Sequence, residues 1–173
     1  ATTTGRSGDE LYQTGTFAVN HPVAKALGAV ELKPEESTHF SAGFVYQPAS
    51  DFSFSADYFN TRIDDRIMLG GNIKGTISPE VQSILDSYSV GIARYFTNAV
   101  NTQTDGIDLR LNYRYEFENG SSIKTLLAYQ YASTEVKSIN TAPSILGAGG
   151  ESLFVDDLTI SAIEEGQPKD SIK

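Results

Sequence analysis

The stretch Asp105-Gly-Ile-Asp-Leu-Arg-Leu-Asn-Tyr-Arg-Tyr115 constrains the fold of this chain more than any other, because its alternation is strict and its two sides differ in chemistry. Read as a strand, it sets Ile107, Leu109, Leu111, Tyr113 and Tyr115 on one face and Asp108, Arg110, Asn112 and Arg114 on the other. One face suits an apolar medium and the other a wet one. A soluble sandwich also has one apolar face per sheet. Charged and apolar side chains alternating over so long a strand are instead typical of membrane-spanning barrel strands, with lipid outside and a polar lumen inside.

The pattern recurs. After Glu118-Asn-Gly-Ser121, the residues Ile123, Thr125, Leu127, Tyr129 and Tyr131 alternate with Lys124, Ala128 and Gln130, Leu126 being the exception. Asn119-Gly120 predicts a tight hairpin of type I′, in which both central residues take positive φ. Upstream, Phe40, Ala42, Phe44 and Tyr46 alternate with Ser41, Gly43, Val45 and Gln47. Phe52, Phe54, Ala56 and Tyr58 then alternate with Ser53, Ser55, Asp57 and Phe59, and Pro48-Ala-Ser-Asp51 supplies the turn between the two runs. The expected strands lie at about 38–47, 52–63, 105–117 and 122–132, with one more at 153–163, from Phe154 to Ile163. Strands of ~9–11 residues are long enough to cross a bilayer at a tilt.

Between the hairpins lie long connections, about 66–95 and 133–150. The first holds Gly70-Gly71, then Ser78-Pro-Glu80, an N-cap followed by proline at the first helical position. Val81, Ile84, Leu85 and Tyr88 follow at helical spacing and predict an amphipathic helix at 79–88, read as docked on its own loop in preference to contacting a ligand. A second short helix is expected at 22–27, stopped by Gly28. Short turns at one end and long loops at the other match the asymmetry of outer-membrane barrels. The fold class is mainly β: an antiparallel up-and-down meander from a transmembrane β-barrel, with long loops and one or two short helices, forming one partial barrel segment over residues 1–173.

Composition narrows the function classes. A chain of 173 residues, 39% hydrophobic and 20% charged, is too apolar to read as disordered. No run approaches the ~18 apolar residues of a membrane helix, and Ala1-Thr-Thr-Thr-Gly-Arg6 has no signal-peptide core. A net charge of -9 without a basic stripe argues against a nucleic-acid partner. With no cysteine, disulfides and thiolate metal sites are excluded. His21 and His39 stand apart and read as loop or strand-end residues, not ligands. Asp64-Asp65 and Asp156-Asp157 lack the spaced oxygens of a calcium loop and read as solvated carboxylates. Asn119-Gly-Ser121 matches a glycosylation acceptor but makes a better turn. No nucleophile elbow, phosphate loop or dinucleotide fingerprint occurs, so neither an enzyme nor a cofactor or metal is expected.

Four stretches, taken in order, resemble the barrel region of TonB-dependent outer-membrane receptors. They are Glu31-Leu-Lys-Pro-Glu-Glu-Ser37, Asp57-Tyr-Phe-Asn-Thr-Arg-Ile-Asp-Asp-Arg-Ile67, Tyr95-Phe-Thr-Asn-Ala-Val-Asn-Thr-Gln-Thr-Asp-Gly-Ile-Asp-Leu109 and Glu165-Gly-Gln-Pro168, within a resemblance running from about Ala24 to Pro168. Part of the pattern has a local reason. Lys33 before Pro34 is held extended, ready to enter a strand, and Gly106 at the mouth of the strongest strand permits a bulge or a close backbone approach. Nothing local accounts for Phe96-Thr-Asn98, which the resemblance alone marks.

The resemblance implies a bacterial outer-membrane transporter: a barrel of about 22 strands around a plug, importing a scarce ligand, most commonly an iron–siderophore complex, when TonB pulls on the plug. No stretch reads as a plug, so an internal barrel segment is expected, one that reaches the TonB complex only through a plug outside it. Its other partners would be outer-membrane lipid on the face of Ile107, Leu109, Leu111, Tyr113, Tyr115, Leu127 and Tyr129, and a small extracellular ligand. Asp108, Arg110, Asn112 and Arg114 would face the lumen. In isolation such a segment is expected to self-associate through its edges and apolar row. The alternative is a soluble β-rich ligand-binding module, for example carbohydrate-binding, whose aromatic faces form a sandwich core.

Overall fold

The computed structural model describes residues 2–7 and 10–173, without the side chains of 2–7, 10–13, 148, 149 and 151. In chain order the elements are β1 (Thr2–Ser7), β2 (Glu10–Phe17), α1 (Pro22–Ala26), β3 (Glu36–Ala49), β4 (Phe52–Leu69), β5 (Ile73–Lys74), α2 (Pro79–Ser87), β6 (Ile92–Glu116), β7 (Ser122–Ile139), α3 (Gly150–Phe154), α4 (Asp157–Glu165) and β8 (Asp170–Ile172). Short 3₁₀ turns occupy Gly75–Ile77 and Ser144–Gly149. The chain is mainly β, and its sheet is antiparallel in the main. β3, β4, β6 and β7 lie side by side, and β8 pairs with β7 through Tyr129↔Ile172 to Tyr131↔Asp170. One pairing departs from the expected meander: β2 runs parallel to the start of β6, from Thr14↔Ile92 to Phe17↔Tyr95.

The two expected hairpins form, the second with a different turn. Ser50 and Asp51 connect β3 to β4. Between β6 and β7, the Gly120 amide donates to the Phe117 carbonyl (3.0 Å) and the Phe117 amide to the Ser121 carbonyl (2.8 Å). Gly120 has φ +82°, whereas the only described non-glycine residues with positive φ are Asp65 and Ser89. The loop is therefore a type I turn closed by a glycine bulge, not type I′. Asn119 instead uses its side chain, its Oδ1 accepting from the Ser121 amide at 3.0 Å.

The chain divides into two compact units. The first holds Ala1–Glu36, Asp64–Asn101 and Val136–Ile160, and the second Ser37–Ile63, Thr102–Glu135 and Ser161–Lys173. Every buried hydrophobic side chain among the described residues belongs to the first: Val23, Leu27, Ile73, Val81, Leu85, Tyr95, Val100 and Phe154 are among them. Its helices begin where local chemistry directs. Ser78 Oγ accepts from the Val81 amide at 3.1 Å with Pro79 next in line, and α2 then buries Val81 and Leu85. The expectation of a helix docked on its own loop matches this burial. α1 is capped by His21, whose Nδ1 accepts from the Val23 amide, and its C-cap Leu27 directly precedes Gly28, as expected. The Tyr95 hydroxyl reaches the Leu27 carbonyl at 3.1 Å, and the Tyr95 ring lies 5.5 Å from that of Phe154.

The second unit has no such interior. Phe40, Phe44 and Tyr46 on β3 are 58–59% exposed, and Leu127 on β7 is 52% exposed. Its aromatic residues pair along the surface instead: Phe44 with Phe54 at 6.0 Å and Tyr46 with Phe52 at 6.4 Å between ring centroids, both across the β3–β4 hairpin. A sandwich would have buried this row.

Three expectations are corrected. The strand expected at 153–163 is helical: α3 ends at Phe154 and α4 spans Asp157–Glu165. Its β-branched and aromatic residues suggested a strand, but Asp156 caps a helix there, Oδ1 accepting from the Thr159 amide (2.8 Å) and the Asp156 carbonyl from the Ile160 amide (3.0 Å). Second, the connections are shorter than expected, since β4 runs on to Leu69, β6 already begins at Ile92 and β7 continues to Ile139. These extensions carry polar residues on both faces, so alternation could not reveal them. Third, β1 and β2 were not foreseen, for the same reason: β1 is almost wholly polar and β2 has polar residues on both sides, Glu10 and Thr14 on one and Gln13 on the other.

The Thr159 hydrogen bonds hold the Asp156 carboxyl below its ordinary value. Its folded pKa being depressed, this cap should stabilise the start of α4 above the ordinary carboxylate range and be lost as pH falls through the lowered value. The Asp156 carboxyl resonance, followed by NMR against pH, should titrate below 3.8; a midpoint at or above 3.8 would contradict the cap.

Candidate functional site

In the first unit, one side chain joins segments far apart in sequence. Asn98, in β6, accepts from the Lys33 amide through Oδ1 (2.9 Å) while its Nδ2 donates to the Lys33 carbonyl (2.9 Å) and to the Asp65 carbonyl (2.6 Å). Lys33 precedes Pro34, a place that favours extended backbone, and its amide and carbonyl are both met by one amide group. Asp65 is a point of irregularity in β4, with φ +54°. Backbone groups at such a position lose regular ladder partners and need side-chain ones. Three asparagines meet Asp65, two at its backbone and one at its carboxylate. Asn98 takes the Asp65 carbonyl, Asn101 Oδ1 accepts from the Asp65 amide (2.7 Å), and Asn140 Nδ2 approaches Asp65 Oδ1 (3.3 Å).

The network extends outward from there. Asn140 also donates from Nδ2 to the Asn98 carbonyl (3.0 Å) and from its amide to the Ala99 carbonyl (2.8 Å), and Asn101 Nδ2 reaches Ser138 Oγ (2.9 Å). Glu35 Oε1 accepts from the Ile67 amide at 2.6 Å. This arrangement accounts for Asn98 in the Phe96-Thr-Asn98 stretch, for which local sequence offered no reason. It also brings together the segments around Lys33, Asp65 and Asn98, drawn from three of the stretches on which the resemblance rests. Asn98, Asn101 and Asn140 were missed by sequence reasoning. For Asn98 and Asn101 the available signal was asparagine in a strand, a residue type depleted there unless its side chain has work for its amide.

The second unit carries the residues expected on the two faces. Leu109, Leu111, Leu127 and Tyr129 line one groove with Phe54 and Ile172, and Arg110 and Ala128 border it as well. Ile107 borders a neighbouring hollow with Phe44 and Tyr58. Tyr115 meets Phe117 edge-on at 4.9 Å, and Tyr113 is 41% exposed. Among the residues set opposite, Asn112 Nδ2 donates to Ser53 Oγ (3.2 Å) and Arg114 pairs with Glu116. Asp108 and Arg110 border a polar hollow with Gln130, Ser171 and Lys173. At Gly106 a side chain would strike the ring of Phe59 and lie 2.7 Å from the Tyr131 carbonyl, the close approach anticipated from sequence. Of the residues set aside as ligands, His39 bonds Thr61 Oγ1 through Nδ1 (2.7 Å) and His21 caps α1.

Long two-faced strands joined by short turns, together with a connecting unit that has its own core, define a β-barrel wall with structured loops. The family model described as TonB dependent receptor-like, beta-barrel matches residues 1–158, and the chain belongs to that family. TonB-dependent receptors are bacterial outer-membrane proteins of transport, not enzymes. The match starts before Ala24 and stops short of Glu165-Gly-Gln-Pro168, the last of the resembling stretches. No curated protein and no solved structure matches the chain.

Removing the Asn98 amide should loosen the segment it grips. Its partners are partly exposed and can turn to water, so Asn98→Ala should cost roughly 1–2 kcal/mol. Asn98→Asp should cost more, because it sets a carboxylate against two carbonyl oxygens. Limited proteolysis of the receptor between 29 and 36 should speed in the order wild type, Ala, Asp. Equal rates in all three would contradict the clamp.

Proposed function

We propose that this chain is barrel wall and extracellular loop of an outer-membrane receptor that takes up a scarce ligand, an iron–siderophore complex in the first instance, by TonB-driven import through a plug. The observation supporting this reading is the division of apolar burial. The unit formed by the connections has a core of the kind water demands, while the two-faced strands leave theirs exposed to a medium that must itself be apolar. In this reading Ile107, Leu109, Leu111, Tyr113, Tyr115, Leu127 and Tyr129 meet lipid, and Asp108, Arg110, Asn112 and Arg114 face the lumen. Ligand contacts fall to the connecting unit, since loops on a rigid frame can vary without disturbing the strands.

The face assignment gives an asymmetric expectation. In the receptor, Leu111→Arg should destabilise by ~2–4 kcal/mol near the bilayer midplane, whereas Asn112→Arg should be tolerated. Equal effects in a vesicle refolding titration would contradict it. For the ligand, iron-starved cells relying on this receptor should accumulate radiolabelled ferric siderophore only while TonB is present. Accumulation independent of TonB, or uptake of an oligosaccharide in its place, would overturn the proposal.

A further inference from the structure

The apolar row of β6 ends abruptly at Asp105, a carboxylate on the same face as Ile107 and Leu109. Its oxygens are met by three donors from that face: the Tyr58 hydroxyl (2.6 Å) and Asn60 Nδ2 (2.7 Å) on Oδ1, and Gln103 Nε2 (3.0 Å) on Oδ2. A carboxylate cannot lie in hydrocarbon without a large desolvation cost, and amides facing lipid are little better placed. Tyrosine is the residue suited to the boundary, its ring in the apolar layer and its hydroxyl among headgroups. Here the Tyr58 ring borders the hollow shared with Phe44 and Ile107 while its hydroxyl bonds Asp105. Tyr131 of β7 stands at the same level, since its carbonyl adjoins Gly106.

Resting on the face assignment above, we infer that the hydrocarbon boundary of the outer leaflet crosses this sheet at the Tyr58–Asp105 hydrogen bond, with Asn60, Gln103 and Asp105 at the level of the lipid headgroups. The boundary belongs to the outer leaflet because the short turns, Ser50–Asp51 and Glu118–Gly120, lie beyond the opposite end of the apolar row. The dimensions agree. From Asp105 to Tyr115, a rise of ~3.3 Å per residue and a tilt of ~40° cover roughly 25 Å along the membrane normal, the height of the apolar band of such barrels. Period-two alternation in the sequence likewise begins only after Thr104.

The chain has no cysteine, so single sites within it can be labelled without competition from it. Nitroxides at Gln103→Cys, Ile107→Cys, Leu111→Cys and Asn112→Cys in the receptor, reconstituted in phospholipid vesicles, can be compared for collision with oxygen and with a water-soluble nickel chelate. Oxygen should dominate at 107 and 111, and nickel at 103, with a several-fold change in the ratio between 103 and 107. Oxygen dominance at 103 together with 107 and 111 would overturn the boundary while leaving the face assignment intact. Nickel dominance at 111, or oxygen dominance at 112, would overturn the face assignment itself.

Discussion

The first unit depends on one side chain, Asn98, which ties together segments far apart in sequence. One amide satisfies both backbone groups of Lys33 and the carbonyl of Asp65. Asparagine is suited to this because its single planar group donates and accepts at once; neither aspartate nor leucine, of similar size, could do both. Beside it, Asn101 accepts from the Asp65 amide of the irregular β4 backbone, and Asn140 meets the Asp65 carboxylate. The segment leading to β3, the upper part of β4 and the early part of β6 are thus tied by side chains and not only by ladder hydrogen bonds.

The remaining organisation follows from which solvent each segment meets. The connecting unit buries Leu27, Ile73, Val81, Leu85 and Tyr95 beneath capped helices, as any water-soluble unit of its size would. The unit built on the hairpins relies on cross-strand aromatic pairs and backbone ladders, and leaves Phe40, Phe44 and Leu127 for an apolar medium to cover. Under the proposed reading, the outer membrane of the TonB-dependent receptor family would supply that medium, and with it a reason for two units of one chain to follow opposite burial rules.

This also explains what the sequence could and could not disclose. Where apolar and polar residues alternate, β3, β4, β6 and β7 are legible through their amphipathic halves. Over Ile92–Thr104, where Ala93, Tyr95, Ala99 and Val100 are buried among polar neighbours, and over Val136–Ile139, polar and apolar residues share both sides, and the period-two signal vanishes although the strand continues. α2 was legible because Ser78, Pro79 and the Val81–Leu85 spacing agree. α4 was not, because Thr159, Ile160 and Ile163 favour strands by type, and only the Asp156 cap spoke for a helix. The asparagine network was hidden for a different reason: its members are scattered from Lys33 to Asn140, and no local pattern announces contacts over such separations.

Hydrogen exchange on the membrane-embedded receptor tests the central claim most directly. In the Asn98→Ala variant, the Lys33 and Asp65 amides, bonded to Asn98 and Asn101 in the native chain, should both lose protection, while the Arg114 amide, bonded to the Asp51 carbonyl at 2.7 Å, should keep its own. Unchanged protection at both Lys33 and Asp65 would show that the ladder alone holds this junction and that Asn98 does not organise it.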